Sequence, residues 1–132
     1  MLTPAEDRDE ILQLLYRYNH AIDACDGERW ADTWTENGVF DAGSYGAEGR
    51  DALIAFAASA PSGFRHVVMN PVIDVTGDTA TMQAYLLILR GGALVGVGDY
   101  RDELARAPGG WRFAKRTVTM EPPPESRVLD QG

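Results

Sequence analysis

The sequence carries a single cysteine, Cys25, in 132 residues. That excludes an internal disulfide and removes the CxxC pairs and cysteine clusters on which structural zinc sites depend. Basic residues are also sparse: 12 Lys and Arg stand against 20 Asp and Glu, for a formal charge of −8. No Lys/Arg cluster offers a footprint for a phosphate backbone, so nucleic acid is not an expected partner. An acidic surface favours solubility and works slightly against anionic substrates. Apolar runs such as residues 85–89 are far too short to span a bilayer, so no membrane partner is expected either. Residues 1–7 are acidic and lack the basic and apolar regions of a signal peptide, which makes a cytoplasmic protein the expectation.

What is present is an ordinary globular mixture, with 45% apolar and 24% charged residues. The length fits one domain, expected over residues 1–121. Residues 122–132 are expected to form a loose tail, because Pro122, Pro123 and Pro124 cannot pair in a sheet.

Thr3-Pro4-Ala5-Glu6 reads as a helix start: Thr3 caps, Pro4 suits the first helical position and Glu6 completes a capping box. Ile11, Leu15, Tyr18, Ile22 and Cys25 then recur at helical spacing, and the helix is expected to end near Asp26-Gly27. A shorter helix over 28–35 carries Trp30 and Trp34, followed by a short strand around Val39-Phe40. A Gly-rich loop leads to a third helix over 51–60. Beyond it the period becomes strand-like, with four long strands over 65–75, 79–90, 94–106 and 111–120, separated by Gly-containing turns. Helices first and an antiparallel meander after them is the α+β pattern. A strongly curved, mostly antiparallel sheet wrapped around the long N-terminal helix, with two shorter helices, gives a cone-shaped barrel with room for a ligand at its open end.

Function has to be sought in polar residues that the pattern sends inward. On the first helix Asn19 and Asp23 lie beside the apolar stripe, whereas His20 falls on the polar side. A carboxylate turned inward needs a partner, because burying it alone costs several kcal/mol. Asp23 can instead cap the second helix or face water near the helix end, but Asp26, which also turns inward if the helix reaches that far, is the better candidate for the cap. Of the two histidines, His66 begins a strand on which His66, Val68 and Asn70 share one face by alternation, and it can meet a carboxylate from the helix that covers the sheet. Tyr16, Tyr18, Tyr85 and Tyr100 are candidate phenols for a cavity or plain core aromatics, with Tyr16 and Tyr18 competing for the same place. Arg116 lies on the face of Arg112 and Ala114 by alternation, either a solvated edge charge or an anion anchor. Gly96 and Gly98 alternate on one strand face and leave space for a ligand or for helix packing. Trp111, Phe113 and Val118 are candidates for an oligomer surface.

The order and spacing of Ile11, Leu14, Tyr18, Asp23 and Asp26, then Trp30, then Arg65-His66 with Asn70, then Gly98, Tyr100 and Asp102, then Gly109-Gly110-Trp111-Arg112-Phe113 resemble the SnoaL-like branch of the NTF2-like superfamily. The likeness runs from about residue 7 to 120. It implies the cone-shaped α+β barrel and relatives such as scytalone dehydratase, bile-acid 7α-dehydratase and hexachlorocyclohexane dehydrochlorinase. Those enzymes eliminate water or HCl with a histidine base paired to an aspartate of the first helix. By position the histidine falls on His66, the aspartate on Asp23 and a tyrosine on Tyr18. Cys25 stands where scytalone dehydratase has a tyrosine, and residues 95–97 lack its second histidine, so scytalone is not the expected substrate.

The resemblance and the residues together give a lyase or isomerase that needs no cofactor and no metal. Its expected substrate is a small, mostly apolar, cyclic or polyketide-like molecule. His66, Asp23 and Tyr18 are the catalytic candidates, and Asn70, Arg116, Tyr85, Tyr16, Trp34 and Phe40 the substrate contacts. The alternatives are a non-catalytic small-molecule binder and a structural subunit of a dioxygenase-like assembly with a filled interior. A homo-oligomer, dimer or trimer, follows from the same resemblance.

Overall fold

The computed structural model describes residues 1–122, so nearly all of the tail expected over 122–132 lies outside the described residues. The first helix, α1 (Pro4–Asp23), begins as the capping box requires: the Thr3 hydroxyl accepts from the Glu6 backbone N–H at 3.2 Å, and a Glu6 carboxylate oxygen accepts from the Thr3 N–H at 3.1 Å. It ends three residues short of Asp26. Cys25 takes the left-handed conformation at φ 54°, its N–H donates to the Ile22 carbonyl, and the Asp26 N–H donates to the Ala21 carbonyl. This is a Schellman ending in which cysteine occupies the place that glycine usually fills. Gly27 is reserved for a different constraint: a Cβ there would strike the Ile54 backbone, so glycine permits two helices to approach closely.

Asp26 caps the next helix, α2 (Gly27–Ala31), by accepting from the Arg29 N–H at 3.2 Å. This helix is shorter than the expected 28–35. The Thr33 carbonyl is taken by the Phe113 N–H at 2.9 Å, which draws the chain into the sheet, so Trp34 opens β1 (Trp34–Asp41) instead of closing a helix. The Gly-rich segment contains a short strand, β2 (Gly46–Glu48), where a loop was expected. Then come α3 (Arg50–Ala58) and four long strands, β3 (Phe64–Thr76), β4 (Thr79–Arg90), β5 (Ala93–Ala107) and β6 (Gly110–Met120), whose ends lie within one residue of the sequence expectation.

The six strands form one curved sheet in the order β2-β1-β6-β5-β4-β3, antiparallel except where β1 runs parallel to β6. The fold is α+β as expected, but the sheet stays open, with β2 and β3 as its edges. β6 is an interior strand, and this corrects an expectation. Trp111, Phe113 and Val118 are core residues, packed with Ile11, Leu15 and Tyr18 of α1, and offer no oligomer surface.

Two bulges decide which side chains reach the interior. Along β3 the pairing passes from Met69↔Tyr85 to Val72↔Gln83, so one extra residue is accommodated around Asn70, which takes φ 54°. His66 and Val68 face inward before the bulge and Ile73 and Val75 after it, while Asn70 turns out. Along β6 the pairing passes from Leu104↔Phe113 to Glu103↔Lys115, leaving Ala114 unpaired. Trp111 and Phe113 face inward before it, Arg116 and Val118 after it. Strict alternation places Arg116 with Arg112 and Ala114; the bulge moves it to the core.

Candidate functional site

The concave face of the sheet, α1 and α3 enclose a cavity of about 500 Å³ that opens to solvent. Its wall is mostly aromatic and aliphatic: Trp30, Phe40 and Phe56 pack against one another on one side, and Ile22, Leu86 and Ile88 complete the other. Among the described residues, no Asp, Glu, Lys or Arg side chain lines it; the polar groups are His66, Ser59 and the phenols of Tyr18, Tyr45 and Tyr100.

His66 stands in the wall from β3, and Asp23, the last residue of α1, stands behind it. The Asp23 carboxylate lies 2.6 Å from His66 Nδ1, and both its oxygens lie 3.2 Å from the His66 backbone N–H. An ionised carboxylate only accepts, so Nδ1 carries the proton it donates, and in the neutral ring Nε2 is then left as a bare acceptor. Both side chains are about one-fifth exposed, at 20% each. Asp26 is occupied as the α2 cap, so of the two aspartates only Asp23 meets the histidine.

At the floor, Tyr18 and Tyr100 meet edge to face with ring centroids 6.4 Å apart. Burial pushes both phenols above their usual range, with the Arg116 charge working against it, so both stay protonated at neutral pH. Arg116 lies beneath them, fully buried, and Asp102 takes its Nε and Nη2 at 2.7 and 2.9 Å. Burial works to lower the Arg116 pKa, but Asp102 and the two tyrosines raise it overall, and the guanidinium stays charged. Burial pushes the Asp102 carboxyl up, with Arg116 opposing.

The SnoaL-like domain family matches residues 3–117. The chain belongs to that family. Its fold is shared by a 28% identical NTF2-like protein with a cystatin-like fold from Novosphingobium aromaticivorans, which covers 95% of this chain and 89% of its own at a TM-score of 0.81. A protein of unknown function from Mycobacterium tuberculosis is 30% identical over 89% of this chain and 78% of that one, at a TM-score of 0.81. A Catenulispora acidiphila protein in complex with S-DNPA is 28% identical over 93% of this chain and 96% of that one, at a TM-score of 0.74. No curated protein matches the chain. As a SnoaL-like, NTF2-like protein the chain is of a ligand-binding or catalytic type, and no helix among its described residues is long and apolar enough to cross a membrane.

The SnoaL-like cavity gathers some of the sequence candidates and leaves others out. His66, Tyr18 and Phe40 line it, with Asp23 directly behind His66. Five candidates are corrected in position. Tyr16 is 46% exposed on the outer side of α1, which settles its competition with the buried Tyr18. Tyr85 alternates with the inward Ala84 and Leu86 and is 55% exposed on the outer face of the sheet, and the β3 bulge places Asn70 beside it there. Trp34 is buried against Tyr18 and Phe113 without lining the cavity. Arg116 lies one layer under the floor, reached only through the rings above it. Gly96 and Gly98 make room for neither ligand nor helix: a Cβ on either would meet the Met120 side chain, itself part of the wall. Tyr45 and Phe56 stack at 6.0 Å in the cavity wall and carried no sequence signal, since a loop aromatic and a helix aromatic share no period. Among the described residues no three His, Cys, Asp or Glu side chains gather as metal ligands.

Proposed function

We propose that this protein is a cofactor-free lyase or isomerase that moves a proton on a small, mostly apolar ring or polyketide-like molecule. The observation that carries the reading is the 2.6 Å contact between Asp23 and His66 Nδ1, made by the one imidazole lining a cavity otherwise walled by aromatic and aliphatic groups. Asp23 fixes the tautomer and ring orientation, and Nε2 takes a proton from a carbon next to a carbonyl. The electron pair of the broken C–H bond moves toward the carbonyl carbon, and the oxygen becomes an enolate that accepts a hydrogen bond from Tyr18. The imidazolium then returns its proton to a different carbon, an isomerisation, or to a departing hydroxyl on the β carbon, an elimination of water. Both outcomes balance without an outside oxidant or reductant.

The test is a ¹H NMR screen of β-hydroxy ketones and cyclic enones in D₂O, following exchange of the α proton and loss of water. General base catalysis contributes about 10²–10⁴-fold, so His66→Ala is expected to lower the rate by that order. An unchanged rate in His66→Ala removes the assignment. A second reading, a binding protein without turnover, draws on the predominantly apolar wall and on the S-DNPA complex of the Catenulispora relative. It predicts saturable ligand shifts with no product in any sample. A purely structural subunit would instead fill an interior that here holds about 500 Å³ of space.

A further inference from the structure

The floor of the cavity is more elaborate than one phenol requires. Tyr18 comes from α1 and Tyr100 from β5, and both line the chamber side by side. Arg116, from β6, has its guanidinium carbon 3.5 Å from the ring centroid of Tyr100 and 4.5 Å from that of Tyr18. Nε and Nη2 each donate to Asp102, but Nη1 is buried and has no hydrogen-bond partner among the described residues. Buried charges of this kind are normally fully satisfied, and an apolar side chain fills such a place more easily. A cation on the face of a phenol draws electron density from the ring and strengthens the O–H as a donor. Desolvation keeps both phenols protonated against that pull. Two strengthened, protonated donors at the base of a mostly apolar chamber fit one oxygen that bears negative charge and has no proton of its own.

We propose that Tyr18 and Tyr100, backed by Arg116, form a binding site for the deprotonated oxygen of a phenol or enol, and that the chamber takes planar ring compounds with an acidic ring hydroxyl. This deepens the proton-transfer reading by naming its ligand class and rests on it only in taking the chamber as the ligand site. Tyr18 and Tyr100 touch the oxygen; Arg116 is a positioning residue that acts through them. Asp102 balances the Arg116 charge, so the site offers donors more than net charge. His66 on β3, with Asp23 of α1 behind it, and the Tyr45 phenol are the other titratable groups of the wall. The site is local, and an overall charge of −8 does not oppose it at the bottom of a chamber whose lining, among the described residues, has no carboxylate.

The experiment is a ¹⁹F NMR titration at neutral pH with pentafluorophenol, which is ionised there, and pentafluorobenzene, which has the same ring without the oxygen. An apolar chamber without the site prefers the neutral ring, because the anion must be desolvated. The wild type is expected to prefer the phenolate by about tenfold or more, the equivalent of one hydrogen bond to a charged group. Tyr18→Phe/Tyr100→Phe is expected to reverse the order while holding pentafluorobenzene within about twofold. Asp102→Leu/Arg116→Met, which removes both buried charges together, is expected to shrink the preference without abolishing neutral binding, a change that a purely structural role would not produce. His66→Gln is expected to keep the preference. The proposal is overturned if the wild type shows no preference, if the tyrosine double variant keeps it, or if His66→Gln alone abolishes it. Failure of both probes to bind overturns the chamber as a ligand site as well, whereas an intact preference with no turnover on any substrate upholds the site and removes only the enzyme reading.

Discussion

Removing Asp102 alone should be among the most damaging single substitutions in this protein. Both its side chain and that of Arg116 are 0% exposed, and they are joined by two short hydrogen bonds. Asp102→Leu leaves a guanidinium in the core with only aromatic faces around it, and arginine cannot shed its proton to escape. Breaking a buried pair from one side costs about 3–5 kcal/mol, against a typical whole-domain stability of about 5–15 kcal/mol. With a urea slope of about 1–3 kcal/mol per molar, a loss of about 4 kcal/mol lowers the midpoint by roughly 1.3–4 M. Circular dichroism during urea titration reads this directly.

The two halves of the pair are not equivalent. Arg116→Met strands Asp102, but burial already pushes that carboxyl up, so it can become neutral by taking a proton. Arg116→Met should therefore cost less than Asp102→Leu. A folded pKa raised above the unfolded one makes the stabilising contribution complete below the unfolded value and lost as pH rises through the folded value. Arg116→Met should accordingly regain stability relative to wild type as pH falls toward the unfolded aspartate value of about 3.9. The double variant Asp102→Leu/Arg116→Met should return to within about 1 kcal/mol of the wild type, since apolar replacement of a buried pair is often neutral or better. An Asp102→Leu midpoint indistinguishable from the wild type, or a double variant no more stable than Asp102→Leu, refutes the reasoning.

Asp7 gives an acid-side prediction. Arg106, at 2.8 and 3.2 Å, and the Trp111 indole N–H, at 3.0 Å, hold its carboxyl below the usual range. A depressed folded pKa contributes stability that is present above the unfolded value of about 3.9 and lost as pH falls through the folded one. The wild type should thus lose stability over that window, and Asp7→Asn should flatten the slope there in acid-titrated thermal melts. Asp26→Ala, which removes the α2 cap, should cost about 1 kcal/mol in urea while leaving the His66 ring ¹⁵N pattern of an Nδ1–H tautomer unchanged, whereas Asp23→Ala should disturb that pattern.

Periodicity carried much of the fold. The helical recurrence of Ile11, Leu15, Tyr18 and Ile22 and the alternation along residues 79–90 each describe a surface with one covered side, and burial follows directly from that. What periodicity missed was phase. A bulge adds one residue without changing the composition of a strand. Ala114 carries no signal of its bulge, whereas Asn70, of a type that tolerates positive φ, stands before Pro71, which cannot donate to a ladder and marks the irregularity in β3. Asn70 therefore left the site and Arg116 entered the core against the alternation rule. Trp34 was misplaced for another reason: its helical spacing from Trp30 is genuine, but the pairing of the segment with β6, far away in sequence, outweighs a weak local preference. Tyr100 was visible as a candidate phenol, yet its pairing with Tyr18 depends on two elements about eighty positions apart meeting across the core.

The division of labour between Asp23 and Asp26 shows how a backbone detail assigns chemistry. The two carboxylates sit three positions apart, close enough that one more helical turn would carry both on the same face of α1. The left-handed turn at Cys25 prevents this, because it ends the helix at Asp23 and sends Asp26 out to start the next one. Asp23 is left on the last turn, at the height of β3 where His66 enters the wall, with both its oxygens turned toward the His66 backbone N–H. That backbone contact fixes the carboxylate independently of the ring, so the imidazole rotates into a partner already in place instead of having to recruit one. Cys25 itself is held down by its Sγ, 3.2 Å from the Ala60 carbonyl at the edge of the cavity, which ties the end of α1 to the segment leading into β3. The stop signal of the helix and the geometry of the Asp23–His66 pair are therefore one feature, and a residue with no place in the chemistry sets which aspartate takes part in it.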